Sequence, residues 1–205
     1  MKRFILIALL VLFIPKGYAQ PFKDLNDQGL SYLKQGNYKD AITAFTKAID
    51  EDHTKTVSYT NRALAYAEQG DLSNAISDTN QAIEIDPKDA LGYYLRGTIY
   101  YDQGNGLQAI ADFSQSIAIN PKVAKGYMSR ALTFLRENRP SDAVADLNKV
   151  LEINPKYRRA RFNRAVAYYE MKQYDKSWDD VHKARDLGDV VNPKFIEALK
   201  KASGK

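Results

Sequence analysis

The phrase Ile85-Asp86-Pro87-Lys88 returns as Ile119-Asn120-Pro121-Lys122 and as Ile153-Asn154-Pro155-Lys156, so three prolines stand 34 residues apart each time. A fixed internal period constrains a chain more than its length does, because it means one supersecondary unit copied along the sequence. A fourth copy, Val191-Asn192-Pro193-Lys194, arrives four residues late.

Written as rows of 34, residues 22–55, 56–89, 90–123, 124–157 and 158–191 align without a gap. Row position 8 is Gly29, Ala63, Gly97, Ala131 and Ala165, small in every row. Position 11 is Tyr32, Tyr66, Tyr100, Phe134 and Tyr168. Aromatic residues make up 11% of the chain, so composition alone does not fill a column with five of them. Position 20 is Ala41, Ala75, Ala109, Ala143 and Ser177.

Within each row, apolar residues recur at three- and four-residue spacing, the helical period. Two such stretches flank a turn at Gly36-Asn37, Gly70-Asp71, Gly104-Asn105 or Asn138-Arg139. Glycine past the first stretch closes a helix in the left-handed conformation, and proline stops the second. Small residues at positions 8 and 20 let two antiparallel helices approach closely. The aromatic at 11 and the residue at 24 (Phe45, Thr79, Phe113, Leu147, Val181) fill the space beside them. One helix pair cannot bury its apolar face alone, so neighbouring pairs must stack into a continuous core.

The period, the small–aromatic–alanine pattern and the terminal proline resemble the tetratricopeptide repeat family over residues 22–191. The resemblance implies an all-α, right-handed α-solenoid of five tetratricopeptide helix–turn–helix repeats, one per row. Departures from the pattern are His53 for proline in the first row, and Arg161, Lys172 and Asp189 in the fifth. The late fourth phrase is explained by a C-terminal capping helix at 192–205. Asn192 is its N-cap, Pro193 its first helical residue, and Phe195, Ile196 and Leu199 its apolar stripe.

Position 7 is Arg62, Arg96, Arg130 and Arg164 in rows two to five, and position 23 is Asp78, Asp112, Asp146 and Asp180. The first row lacks both, carrying Gln28 and Ala44. Residues that come and go together predict an ion pair inside each of four repeats, holding its two helices in register. A constellation repeated four times reads as structure, not as an active site.

Row positions 2, 5, 6, 9, 12 and 13 share an arc of the first helix beside its core face. In the family that arc lines a concave groove. Here it carries Asn61, Tyr94, Tyr101, Met128, Arg159, Phe162, Asn163 and Tyr169, the candidate peptide-binding residues. Aromatics, methionine and arginine are what recognition surfaces use, and asparagine can hold an extended backbone. The family's clamp for chaperone carboxylate tails needs Lys and Asn in one repeat, Asn in the next and basic residues in a third. Asn61 meets one requirement, but Asn26, Leu30, Leu91 and Leu95 fail the others, so chaperone tails are not expected partners.

The chain has no cysteine, which excludes disulfides, thiolate metal sites and thiol nucleophiles. The two histidines, His53 and His182, have no ligand spacing, and Gly104-Asn105-Gly106 is too short for a dinucleotide motif. No enzymatic role, cofactor or metal is expected.

Residues 1–19 combine Lys2 and Arg3, an apolar run from Phe4 to Ile14, a break at Pro15, and small residues Gly17 and Ala19. The run would extend about 16 Å as a helix, short of the ~30 Å hydrocarbon core, so a cleaved signal peptide is expected. An uncleaved anchor is the alternative. Loss of Lys2, Arg3 and Lys16 lowers the formal charge from +5 to +2, which weakens any case for nucleic acid. Row charges run −1, −4, 0, +2 and +2, with +3 in the tail. The sequence therefore predicts an exported (periplasmic or secreted), non-enzymatic scaffold that binds a protein or peptide. The alternatives are an envelope component that self-associates, and a glycan-binding accessory whose tyrosines stack on sugars.

Overall fold

The computed structural model describes residues 20–205, and the targeting segment expected at 1–19 lies outside them. The described residues form eleven helices and no strand. The first pair is α1 (Gln20–Lys34) and α2 (Tyr38–Glu51), followed by α3 (Thr56–Gln69) with α4 (Leu72–Ile85). Next come α5 (Ala90–Asp102) with α6 (Gly106–Ile119), α7 (Ala124–Arg136) with α8 (Pro140–Ile153), and α9 (Ala160–Glu170) with α10 (Tyr174–Asp186). The last helix is α11 (Pro193–Ser203). None of the described helices is long and apolar enough to cross a membrane.

Every pair closes in the same way. The backbone N–H at row position 16 donates to the carbonyl of the position-11 aromatic: Asn37 to Tyr32, Asp71 to Tyr66, Asn105 to Tyr100, Arg139 to Phe134 and Gln173 to Tyr168, at 2.8–2.9 Å. This is the six-to-one bond of a Schellman turn, which needs a left-handed residue between donor and acceptor. Gly36, Gly70 and Gly104 supply it in the first three pairs, and Asn138 (φ 55°) and Lys172 (φ 58°) in the last two.

The joints between pairs are equally regular. Asp86 and Asn154 accept from the N–H two residues on, across the intervening proline. In the first joint His53 stands at the proline position, and Asp52 makes the same bond to Thr54, reinforced by the Thr54 hydroxyl at 2.6 Å.

Each first helix touches the first helix of the next pair, while second helices make no comparable contact with one another. The stack therefore curves with α1, α3, α5, α7 and α9 on its inner face. Between the layers lies a continuous core that includes Ala41, Phe45, Phe113, Leu147, Val150 and Val181, all at most 1% exposed.

The fifth pair departs locally. Its first helix begins at Ala160, two residues into the row, because Arg159 is left-handed (φ 64°). The Arg159 N–H donates to the Asp189 carboxylate at 3.0 Å, and Asp189 stands where the second to fourth rows have proline. Beyond it, the Asn192 side chain accepts from the Lys194 N–H at 2.9 Å, with Pro193 opening α11. Ile196 and Leu199 bury against Trp178, Val181 and Ala184, so the last repeat's apolar face is covered.

Candidate functional site

The four arginines and four aspartates form one motif repeated along the stack. Arg62 donates from Nε and Nη2 to both oxygens of Asp78, at 2.8 Å each. Arg96 does the same to Asp112, Arg130 to Asp146 and Arg164 to Asp180, all at 2.7–2.8 Å. The aspartate side chains are 3–8% exposed and the arginines 17–20%. Planar two-point contact suits guanidinium and carboxylate, and it locks the first helix of a pair to its second. For Arg96, Arg130 and Arg164 the hydrogen bond donated to the aspartate outweighs burial and holds the pKa above its ordinary value. At Arg62 burial is the largest influence and opposes the charge, but the hydrogen bond and charge of Asp78 together overcome it.

Sequence reading missed the third arm. Each Nη1 reaches back sixteen residues to the preceding repeat: Arg62 to Thr46, Arg96 to Asn80, Arg130 to Ser114 and Arg164 to Asn148, at 2.6–2.9 Å. The acceptor column, Thr-Asn-Ser-Asn, is uniformly short and polar, and that was the available signal. Each arginine is thus a bolt through three helices. No buried side-chain nitrogen or oxygen among the described residues lacks a partner.

A second column of contacts runs along the inner face with a spacing of 35. Asn61 donates to Asn26 at 3.1 Å, Tyr94 and Ser129 share a hydroxyl–hydroxyl bond at 3.3 Å, and Asn163 donates to the Met128 sulfur at 3.8 Å. Arg136 donates to the Tyr101 carbonyl at 2.8 Å, with its guanidinium 5.2 Å from the Tyr101 ring centre. Position 5 or 12 of one repeat therefore meets position 6 or 13 of the next.

This ladder corrects part of the expected groove. Met128 is 8% exposed and belongs to the core beneath α7 and α8. Phe162 and Tyr169 pack edge-on against Phe195 of the cap at 5.4 and 5.5 Å, so they are seats for α11 and not free rings. Asn61 and Asn163 spend their amides on the preceding repeat. Tyr94 and Tyr101 remain half-exposed, and the Arg159 side chain is exposed. A helical projection of one repeat shows which residues share an arc, but not which neighbouring repeat fills it.

A depression of about 230 Å³ is open on the inner face between α3 and α5. Leu64, Ala67, Leu95 and Thr98 line it, and Glu68 and Asp102 stand at its edge. Neither acid has an ion-pair partner among the described residues. The arrangement suits an apolar side chain whose neighbour is basic. None of these six was named as a binding residue from sequence, although all six stand at arc positions 6, 9, 12 or 13.

Four tetratricopeptide-repeat profiles match the sequence, at residues 22–54, 63–104, 90–123 and 134–177. The chain is a tetratricopeptide-repeat protein. No curated protein matches it. Among solved structures it is similar to MamA, at 21% identity over 82% of this chain and 92% of that one, with a TM-score of 0.73. PilF of Pseudomonas aeruginosa is 18% identical over 92% and 87% of the two chains, with a TM-score of 0.80. YrrB, described as a TPR protein with an unusual peptide-binding site, is 14% identical over 84% and 92%, with a TM-score of 0.68. At these identities the likeness concerns the fold.

Proposed function

We propose that this chain is an exported, non-enzymatic scaffold that binds a segment of a partner polypeptide along its inner face. The observation that carries the reading is the uncovered depression between α3 and α5, where half-buried Leu64 and Leu95 lie beside the unpaired acids Glu68 and Asp102. Apolar surface at the base and charge at the rim is the usual anatomy of a recognition site. Tyr101 continues the same face toward the fourth repeat. The peptide-binding description of YrrB supports the class of partner, and the arginine bolts supply a rigid backing for it.

Export rests on the basic start, short apolar run and small residues of 1–19. Retention of that segment as an anchor is the competing form. Mass spectrometry of the protein from its native cell tests the point: a mature N-terminus at Gln20 supports export with cleavage, and an intact Met1 in the membrane fraction contradicts it.

Binding is tested by isolating the protein with its partners from native cells as wild type and as Leu64→Glu. A partner lost from the variant, with helicity and melting behaviour retained, supports the inner face. A partner kept by the variant refutes it. Self-association is the second reading, favoured by the charge change from −4 in the second row to +3 in the tail. It requires a mass in light scattering that rises with concentration and falls with salt.

A further inference from the structure

We propose that a second site, at the joint between the third and fourth repeats, takes one large apolar side chain whose neighbour in the partner polypeptide is acidic. The start of α5, the end of α6 and the start of α7 enclose a cleft of about 230 Å³ there. Ile117 and Tyr94 form its interior, and Leu91 and Val123 form its lips, 47% and 45% exposed. The volume falls below the ~300–1,000 Å³ of sites for whole small molecules, so it suits a single side chain.

The cleft has one cation. Lys125 lies with its Nζ 4.8 Å from the Tyr94 ring centre and has no ion-pair partner among the described residues. An ammonium held over an aromatic face at the mouth of an apolar cleft attracts a carboxylate to that mouth. This complementarity selects an acidic neighbour for the side chain that enters.

The two adjacent joints lack the combination. At the preceding joint the positions of Val123 and Lys125 are Asp89 and Leu91, and the Asp89 carboxylate accepts from the Leu91 N–H at 2.9 Å. At the following joint they are Tyr157 and Arg159, and the Tyr157 ring packs into the core. Valine in place of the ring leaves the space open, and lysine charges its edge.

The inference rests on the chain being a polypeptide-binding scaffold, but the two sites are separable. The cleft lies at the beginning of α5 and α7, whereas the inner-face depression lies along the later turns of α3 and α5. Loss at Leu64 with binding retained at the cleft, or the reverse, distinguishes their failures.

The test uses the full chain with isotope-labelled methyl groups and two probes, the acetylated, amidated tetrapeptides Gly-Leu-Asp-Gly and Gly-Leu-Asn-Gly. The expected result is saturable shifts at the methyls of Leu91, Ile117 and Val123, with the aspartate peptide bound about fivefold more tightly, the worth of an ion pair at a solvent edge. Lys125→Met keeps the apolar stem and should bind both peptides equally. Absence of shifts at those methyls, equal affinity for the two peptides in the wild type, or a preference that survives in Lys125→Met would overturn the proposal. Shifts of the same methyls on simple dilution, abolished by Leu91→Ser, would also overturn it by making the occupant a second copy of the chain.

Discussion

Gly97 lies against the ring of Phe113, so closely that a Cβ at Gly97 would stand 2.9 Å from ring carbons Cδ1 and Cε1. Gly29 and Phe45 repeat the arrangement at 2.5 Å. Where the first residue is alanine the second is not aromatic: Ala63 with Thr79, Ala131 with Leu147, Ala165 with Val181. The two positions trade volume across the helix pair. Gly97→Ala should therefore destabilise by about 1–3 kcal/mol through overpacking. Adding Phe113→Leu should recover most of that loss, because it recreates the pairing of the fourth repeat. Urea denaturation of the single and double variants measures both.

The arginine bolts make a second prediction. Asp146→Ala strands Arg130 in a mostly buried setting and should cost about 3–5 kcal/mol. Arg96→Lys removes the planar fork and should destabilise even though the charge remains. The sign of its pH dependence follows from the raised arginine pKa. A cation favoured by folding stabilises below its unfolded pKa and loses that contribution as pH rises through its folded value. For the wild type this lies above the ordinary arginine range, so the guanidinium of each bolt keeps its charge as pH rises from neutral to about 10. The lysine variant should lose further stability once pH passes about 10.4, and melting curves across that range check it.

Lys172 holds a left-handed conformation that glycine holds in the first three repeats. A side chain there costs about 1 kcal/mol against glycine. Lys172→Gly should raise stability by that amount in thermal denaturation, since the Gln173-to-Tyr168 bond already fixes the turn.

Leu199 is fully buried at the interface between the cap and the fifth repeat. Leu199→Ala should cost about 2–5 kcal/mol. Hydrogen exchange should show the loss concentrated in α9, α10 and α11, because a stacked array transmits stability through neighbours.

The repeat architecture was legible because the proline phrase, the small column and the aromatic column each recur with one period. The paired arginine and aspartate columns were legible for the same reason, and the absence of both in the first row told against pairing across repeats. The third arm of each arginine was not, since Thr46, Asn80, Ser114 and Asn148 differ in chemistry while sharing only size and polarity. Met128 was misplaced because burial on the inner arc depends on the next repeat's shift of one residue, and Phe162 and Tyr169 because Phe195 of the cap lies against them; periodicity encodes neither. The cleft at Lys125 lies where two variable row positions combine, since the position of Val123 is Lys55, Asp89 and Tyr157 in the other joints and that of Lys125 is Val57, Leu91 and Arg159. Repeats reveal what is common, and binding sites arise where one copy differs.

The most direct test of the account is a photo-crosslinking amino acid placed at Tyr101 and expressed in the native cell, with adducts mapped by mass spectrometry. The same probe at Gln108, exposed on the outer layer, serves as the control. A discrete polypeptide adduct from position 101, absent at 108 and lost with Leu64→Glu, is the predicted result. Adducts of equal yield from both positions, or none from 101 while 108 captures a partner, would contradict inner-face recognition.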